Sequence, residues 1–109
     1  METITIPPNL PIAIDRDRLV AVCRRYGIRE LALFGSVLRD DFTPDSDVDL
    51  LCSLLPTSPA RGMDWIRLML ALEDLLGRPV DLVKPDLLDP LIRDAVLREA
   101  KPIYVASPG

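Results

Sequence analysis

The stretch Ile28-Arg29-Glu30-Leu31-Ala32-Leu33-Phe34-Gly35-Ser36-Val37-Leu38-Arg39, followed after a loop by Ser46-Asp47-Val48-Asp49-Leu50-Leu51-Cys52-Ser53-Leu54, decides the fold. Its first half is a strand from Ile28 to Phe34, and the apolar run Leu31 to Phe34 suits a strand covered on both faces. Gly35-Ser36 ends that strand and opens a short helical turn to about Asp40. A loop containing Pro44 leads to a second strand, Asp47 to Leu54. Side chains alternate along a strand. Val48, Leu50, Cys52 and Leu54 therefore face one way, and Asp47, Asp49 and Leu51 the other.

Outward from this centre, proline and glycine punctuate the chain. Before it, Asp15 to Tyr26 has helical spacing, with Leu19, Val22, Cys23 and Tyr26 on one face, Asp15 as cap and Gly27 as stop. After it, a helix from about Gly62 to Leu76 places Trp65, Leu68, Met69, Leu72 and Leu76 on a core stripe. Val80 to Val83 is a strand. Asp89 and Pro90 read as cap and first residue of a last helix, with Leu91, Ile92, Ala95 and Val96 inward. Pro102 to Val105 is a short strand. At the other end Pro7, Pro8 and Pro11 mark a stiff arm over residues 1–14, whose Thr3–Ile6 alternation suits either an edge strand or a frayed tail. The order α-β-α-β-α-β-α-β predicts one α/β (α+β) domain over residues 15–106, a small mixed sheet flanked by helices.

The 109 residues suit a single domain, and 49% hydrophobic against 28% charged residues marks a globular chain. Histidine is absent, which excludes Ser-His-Asp and Cys-His catalysis and HExxH metalloprotease chemistry. The two cysteines, Cys23 and Cys52, are too few for a zinc site or a disulfide framework. They read as small core residues in a reducing compartment. A net charge of -4 disfavours extended nucleic acid, which needs a basic face. The apolar runs fall short of the ~20 residues a membrane span requires, and Met1 to Ile6 lacks a basic leader region. The expectation is a cytoplasmic protein with no membrane partner.

The chemistry concentrates where the centre bends. A glycine-serine turn between strand and helix presents free backbone N–H groups to phosphate, and Arg39, one turn on, points the same way. Asp47 and Asp49 share a strand face with backbone positions about 6.6 Å apart. Two such anions repel unless a cation lies between them, and Mg²⁺ is commonly shared between carboxylates and phosphates. Asp81, alone in the apolar run Val80-Asp81-Leu82-Val83, joins the same face if its strand pairs with the Asp47–Asp49 strand. Plainer readings are a capped turn, a loop cap and a solvated face. An acidic calcium loop fails, because its sixth position is Leu50 and its twelfth Pro56.

Gly35-Ser36 with Arg39, followed by Ser46-Asp47-Val48-Asp49-Leu50, resembles the signature of the polymerase-β nucleotidyltransferase superfamily. With the segment Leu75 to Val83 it looks more narrowly like the minimal nucleotidyltransferases (MNT domains) of bacteria and archaea, from Asp15 to Val105. The resemblance implies a polymerase-β-like palm core that binds ATP and Mg²⁺, as a pair of ions. Gly35, Ser36, Arg39 and Ser46 would contact the nucleotide; Asp47, Asp49 and Asp81 would be the catalytic, metal-binding acids. Such domains are commonly antitoxins paired with a HEPN-domain ribonuclease toxin, which they silence by transferring AMP to a tyrosine, so a hetero-oligomer is implied. The family often has glycine after the arginine, where this chain has Asp40 and then Asp41. Two other readings stay open: a catalytically weak antitoxin that covers its toxin, using apolar residues of the N-terminal arm, and a transferase for a small-molecule acceptor.

Overall fold

In the computed structural model, which describes residues 2–107, the chain runs β1 (Thr3–Ile4), α1 (Arg16–Arg25), β2 (Ile28–Phe34), a 3-10 turn (Gly35–Leu38), β3 (Val48–Leu54) and α2 (Met63–Leu76). It continues through β4 (Val80–Val83), a second 3-10 turn (Pro85–Leu87), α3 (Pro90–Glu99) and β5 (Lys101–Val105). The Asp15 carboxylate accepts the Arg18 N–H at the start of α1, a cap worth about 1 kcal/mol. Asp89 does the same for Leu91 N–H in α3, with Pro90 in the first turn. Gly77, with φ +71, stops α2 in the left-handed conformation.

The five strands form one sheet in the order β1-β5-β2-β3-β4. β3 and β4 run parallel, bridged by α2, and the other pairs are antiparallel. A parallel pair needs such a crossover because a tight turn cannot join it. On one face, Leu31, Leu33, Leu50, Cys52, Val80, Leu82 and Ile103 meet Leu19 and Cys23 of α1 and Leu68, Leu72, Leu75 and Leu76 of α2. Both cysteines are free and buried there. Burial pushes the Cys23 thiol up and the Cys52 thiol up to about 12, so neither is a nucleophile at neutral pH. The opposite face carries a smaller cluster: Ala32, Leu51 and Leu88, with Phe34, Val83 and two α3-end residues, Val96 and Ala100.

Two expectations are corrected. The α3 face over Leu91, Ile92, Ala95 and Val96 does not all turn inward: Leu91 is 92% exposed and Ile92 51%, and Ala95 is exposed. Only one end of α3 lies on the sheet, through Val96 and Ala100, while Arg93 turns back to the carbonyls of Asp86 and Leu88. The apolar arm is not an open surface. Ile4, Leu10, Ile12 and Ile14 pack against the main core, β1 pairs with β5, and Arg24 pairs with Glu2. Among the described residues no helix is long and apolar enough to cross a membrane.

Candidate active site

β2 delivers its last residue, Phe34, directly opposite Asp49 in the β2–β3 register. The next residue, Gly35, turns with φ +76, a conformation open chiefly to glycine. An added Cβ would collide with Oδ2 of Asp49, so the carboxylate lies against the turn and a larger residue would push it from its present place. Ser36 closes the turn, its carbonyl accepting the Arg39 N–H at 2.9 Å.

The β3–β4 pairing sets Asp49 beside Asp81 in register. Register partners on adjacent strands lie roughly 4.8 Å apart and share a face. Asp47 lies just ahead of β3, close enough for its charge to act on Asp49. The condition attached to Asp81 is therefore met, Asp49 and Asp81 share the α3 side of the sheet, and Asp47 lies beside them. Asp47 and Asp81 are exposed and Asp49 half-buried. The Asp49 carboxyl sits above its ordinary pKa, first through burial, then through the charges of Asp81 and Asp47, with Arg39 pulling the other way. Among the described residues, no three His, Cys, Asp or Glu side chains stand close enough to hold one metal ion as they are. The donor chemistry nonetheless fits magnesium: hard carboxylate oxygens, mutually repelling, with phosphate expected to complete the shell.

Two further residues shape the site. Glu99, at the end of α3, accepts the Gly35 N–H at 2.7 Å through Oε1 and pairs with the Arg39 guanidinium at 2.8 and 3.0 Å. Arg39 and the Gly35 turn, expected to receive phosphate, thus both face a carboxylate. That double contact holds the Glu99 carboxyl below the usual carboxylate range. Arg78 donates to the carbonyls of Thr43 and Ser46 at 3.3 and 3.2 Å and lies over the Phe42 ring, bracing the loop into Asp47. Ser46 is committed to that loop, its Oγ accepting the Thr43 N–H at 2.9 Å. Asp40 and Asp41 are exposed. Lys84, near Asp81 in sequence, lies over the Trp65 ring.

Glu99 was beyond sequence reasoning because its partners lie 64 and 60 residues away. Arg78 carried a weak signal, as a cation just ahead of the Asp81 strand.

Comparison with known proteins gives the family and the fold. The nucleotidyltransferase domain family matches residues 18–103. Over 83 residues, 74% of this chain and 78% of the relative, the chain is 41% identical to the protein adenylyltransferase MntA of Thermococcus cleftensis. A solved structure provisionally assigned as a minimal nucleotidyltransferase is 42% identical, with TM-score 0.66 over 80% of this chain and 87% of that one. A chain of a toxin–antitoxin crystal structure with AMP-PNP shares the fold at 18% identity, with TM-score 0.65 over 86% of this chain and 76% of the other. The matched span runs from α1 into β5 and takes in the turn and all three aspartates; the chain belongs to the nucleotidyltransferase domain family.

Proposed function

We propose that this chain is an antitoxin that transfers AMP from ATP to a hydroxyl, a tyrosine, of a cognate HEPN ribonuclease toxin and so silences it. The observation that carries the reading is the register of Asp49 with Asp81 beside the Gly35 turn, which gathers phosphate donors and acidic oxygens at one end of the sheet. Gly35 and Ser36 N–H groups and Arg39 would hold the phosphates, while Ser46 steadies the loop and the nucleotide above it. Asp47, Asp49 and Asp81 would hold magnesium, which when bound polarises the α-phosphate and lowers the pKa of the acceptor hydroxyl. The acceptor hydroxyl gives up its proton to water, its oxygen bonds to the α-phosphorus, the bond from that phosphorus to the α–β bridging oxygen breaks, and pyrophosphate leaves with the electron pair. Asp81 sits on the edge strand of the sheet and is exposed, so its side of the site is open to an acceptor as large as a protein.

A protein acceptor is favoured by the apolar surface on α3, which rests on the same sheet face as the aspartates. Leu91 is 92% exposed and Leu97 47%, a surface suited to burial against a partner in a hetero-oligomer. Support for the nucleotide and the partner comes from what relatives are called: the Thermococcus cleftensis relative is a protein adenylyltransferase, and the toxin–antitoxin structure of this fold was solved with AMP-PNP. The HEPN identity rests on the motif's resemblance to minimal nucleotidyltransferases. Free buried thiols and ATP use fit the cytoplasm.

The test mixes the protein with its toxin, magnesium and ATP labelled at the α-phosphate. Label should reach the toxin, and Asp47→Ala and Asp49→Ala should each abolish the transfer. Toxin inhibition undiminished in both variants would favour the second reading, silencing by coverage alone, for which the exposed α3 residues speak.

A further inference from the structure

We propose that Glu99 is a tethered stand-in for phosphate, occupying the anion seat of the Gly35 turn and setting which ligands can enter it. This deepens the nucleotidyltransferase reading and rests on it. The seat has two anion-binding elements, the neutral Gly35 N–H donor and the Arg39 guanidinium cation, and one carboxylate contacts both: 2.7 Å to the amide, 2.8 and 3.0 Å to the guanidinium. Charge-assisted contacts of this kind are about twice as strong as neutral hydrogen bonds. An incoming phosphate must therefore separate Glu99 from both partners, and a carboxylate left beside a polyphosphate would repel it.

The consequence is selectivity by charge. An anion with little charge competes poorly against a carboxylate already held nearby by the chain. A triphosphate, which also draws magnesium to Asp47, Asp49 and Asp81, competes well. Glu99 closes α3, two residues before Lys101, the first residue of β5, and is not among the core residues, so its carboxylate can turn away from the seat toward solvent. It is 32% exposed on the side chain, which leaves water to receive it.

The alternative is that Glu99 merely braces the turn through the same contacts. A brace, when removed, loosens the seat and weakens ligand binding; a competitor, when removed, strengthens it. If Glu99 is seated roughly nine-tenths of the time, the apparent affinity of the seat is lowered about tenfold.

Calorimetric titration of inorganic tripolyphosphate and of magnesium ATP into the wild type, Glu99→Gln and Glu99→Ala would decide. Both variants should bind tripolyphosphate about tenfold more tightly than the wild type, the seat being freed, and AMP should gain measurable binding. The Gly35 amide resonance in a ¹⁵N spectrum should shift in Glu99→Gln, and in the wild type should move on adding tripolyphosphate as the carboxylate is displaced. Unchanged or weaker binding in both variants, with the wild type still binding ATP, overturns the stand-in while leaving the transferase reading intact. ATP failing to bind wild type and variants alike would overturn both.

Discussion

The two faces of the sheet obey different rules, although β3 builds both. Toward α1 and α2 it presents Val48, Leu50 and Cys52, each wholly buried in a dry apolar cluster. Toward α3 it presents Asp49, with Asp47 just ahead of the strand and Asp81 beside it, and a small apolar cluster at Leu51 for cover. Stability is thus concentrated on one face, and the other is free to carry groups that repel one another. Neighbouring residues such as Asp49 and Leu50 should fail in opposite ways when changed.

The largest effect on folding is expected from Leu50→Ala. Leu50 is 0% exposed on a central strand, and truncating a buried leucine costs about 3 kcal/mol through lost burial and the cavity left behind. Urea denaturation should show the midpoint falling at unchanged slope, while transfer per folded molecule is kept. A loss below about 1 kcal/mol would mean that the α1/α2 face collapses around the gap and does not act as the rigid side of the pair.

Asp49→Asn should act in the other direction. The wild-type carboxylate is destabilised by burial and by the charges of Asp81 and Asp47, so its neutral isostere should raise stability by about 1 kcal/mol at neutral pH, as relief of active-site strain commonly does. The sign follows from linkage. The folded pKa lies above the unfolded one, so the penalty is complete above the folded value and fades as pH falls through it. Thermal melts of variant and wild type should therefore converge on acidification. Glu99 has the opposite shift, held down by Arg39 and the Gly35 N–H, so its stabilising contribution is the one lost as pH falls. A melting gap for Asp49→Asn that widens toward acid would refute the repulsion among the three aspartates.

The same contrast explains what was legible in the sequence. β2 and β4 lie where their apolar runs end against Gly35 and Lys84, because local chemistry alone terminates them. The Asp49–Asp81 pair was legible as a condition, since alternation gives the face but only the parallel pairing gives the neighbour. Glu99 was not legible: a glutamate in a last helical turn has no local mark that an amide 64 residues away will bind it. Leu91 and Ile92 misled for the same reason. Their spacing announces an apolar stripe, yet what a stripe faces depends on the docking of the helix, and here Val96 and the capping Ala100 pack against the Ala32, Leu51 and Leu88 cluster while Leu91 and Ile92 stay exposed.

That docking leads to the smallest effect on the protein itself and a distinct one on its partner. Leu91 is 92% exposed, so Leu91→Ser removes almost no buried area and should leave stability within about 0.5 kcal/mol. A leucine so open on α3, the helix docked on the sheet face of the aspartates through its far end, gains by being covered when a protein acceptor arrives. If it anchors that contact, its truncation should cost more than about 1 kcal/mol of binding, a fivefold to tenfold weaker capture of the toxin by titration calorimetry. Label transfer would then fall at limiting toxin and recover at saturating toxin, because the acids and the Gly35 turn are untouched. Unaltered capture would instead place the partner elsewhere, for which Met63, Ile66 and Leu70 on α2 offer another exposed apolar stripe. Those residues lie on the helix that covers the dry face, so a partner seated there would have to reach round the β4 edge to offer its hydroxyl to Asp81.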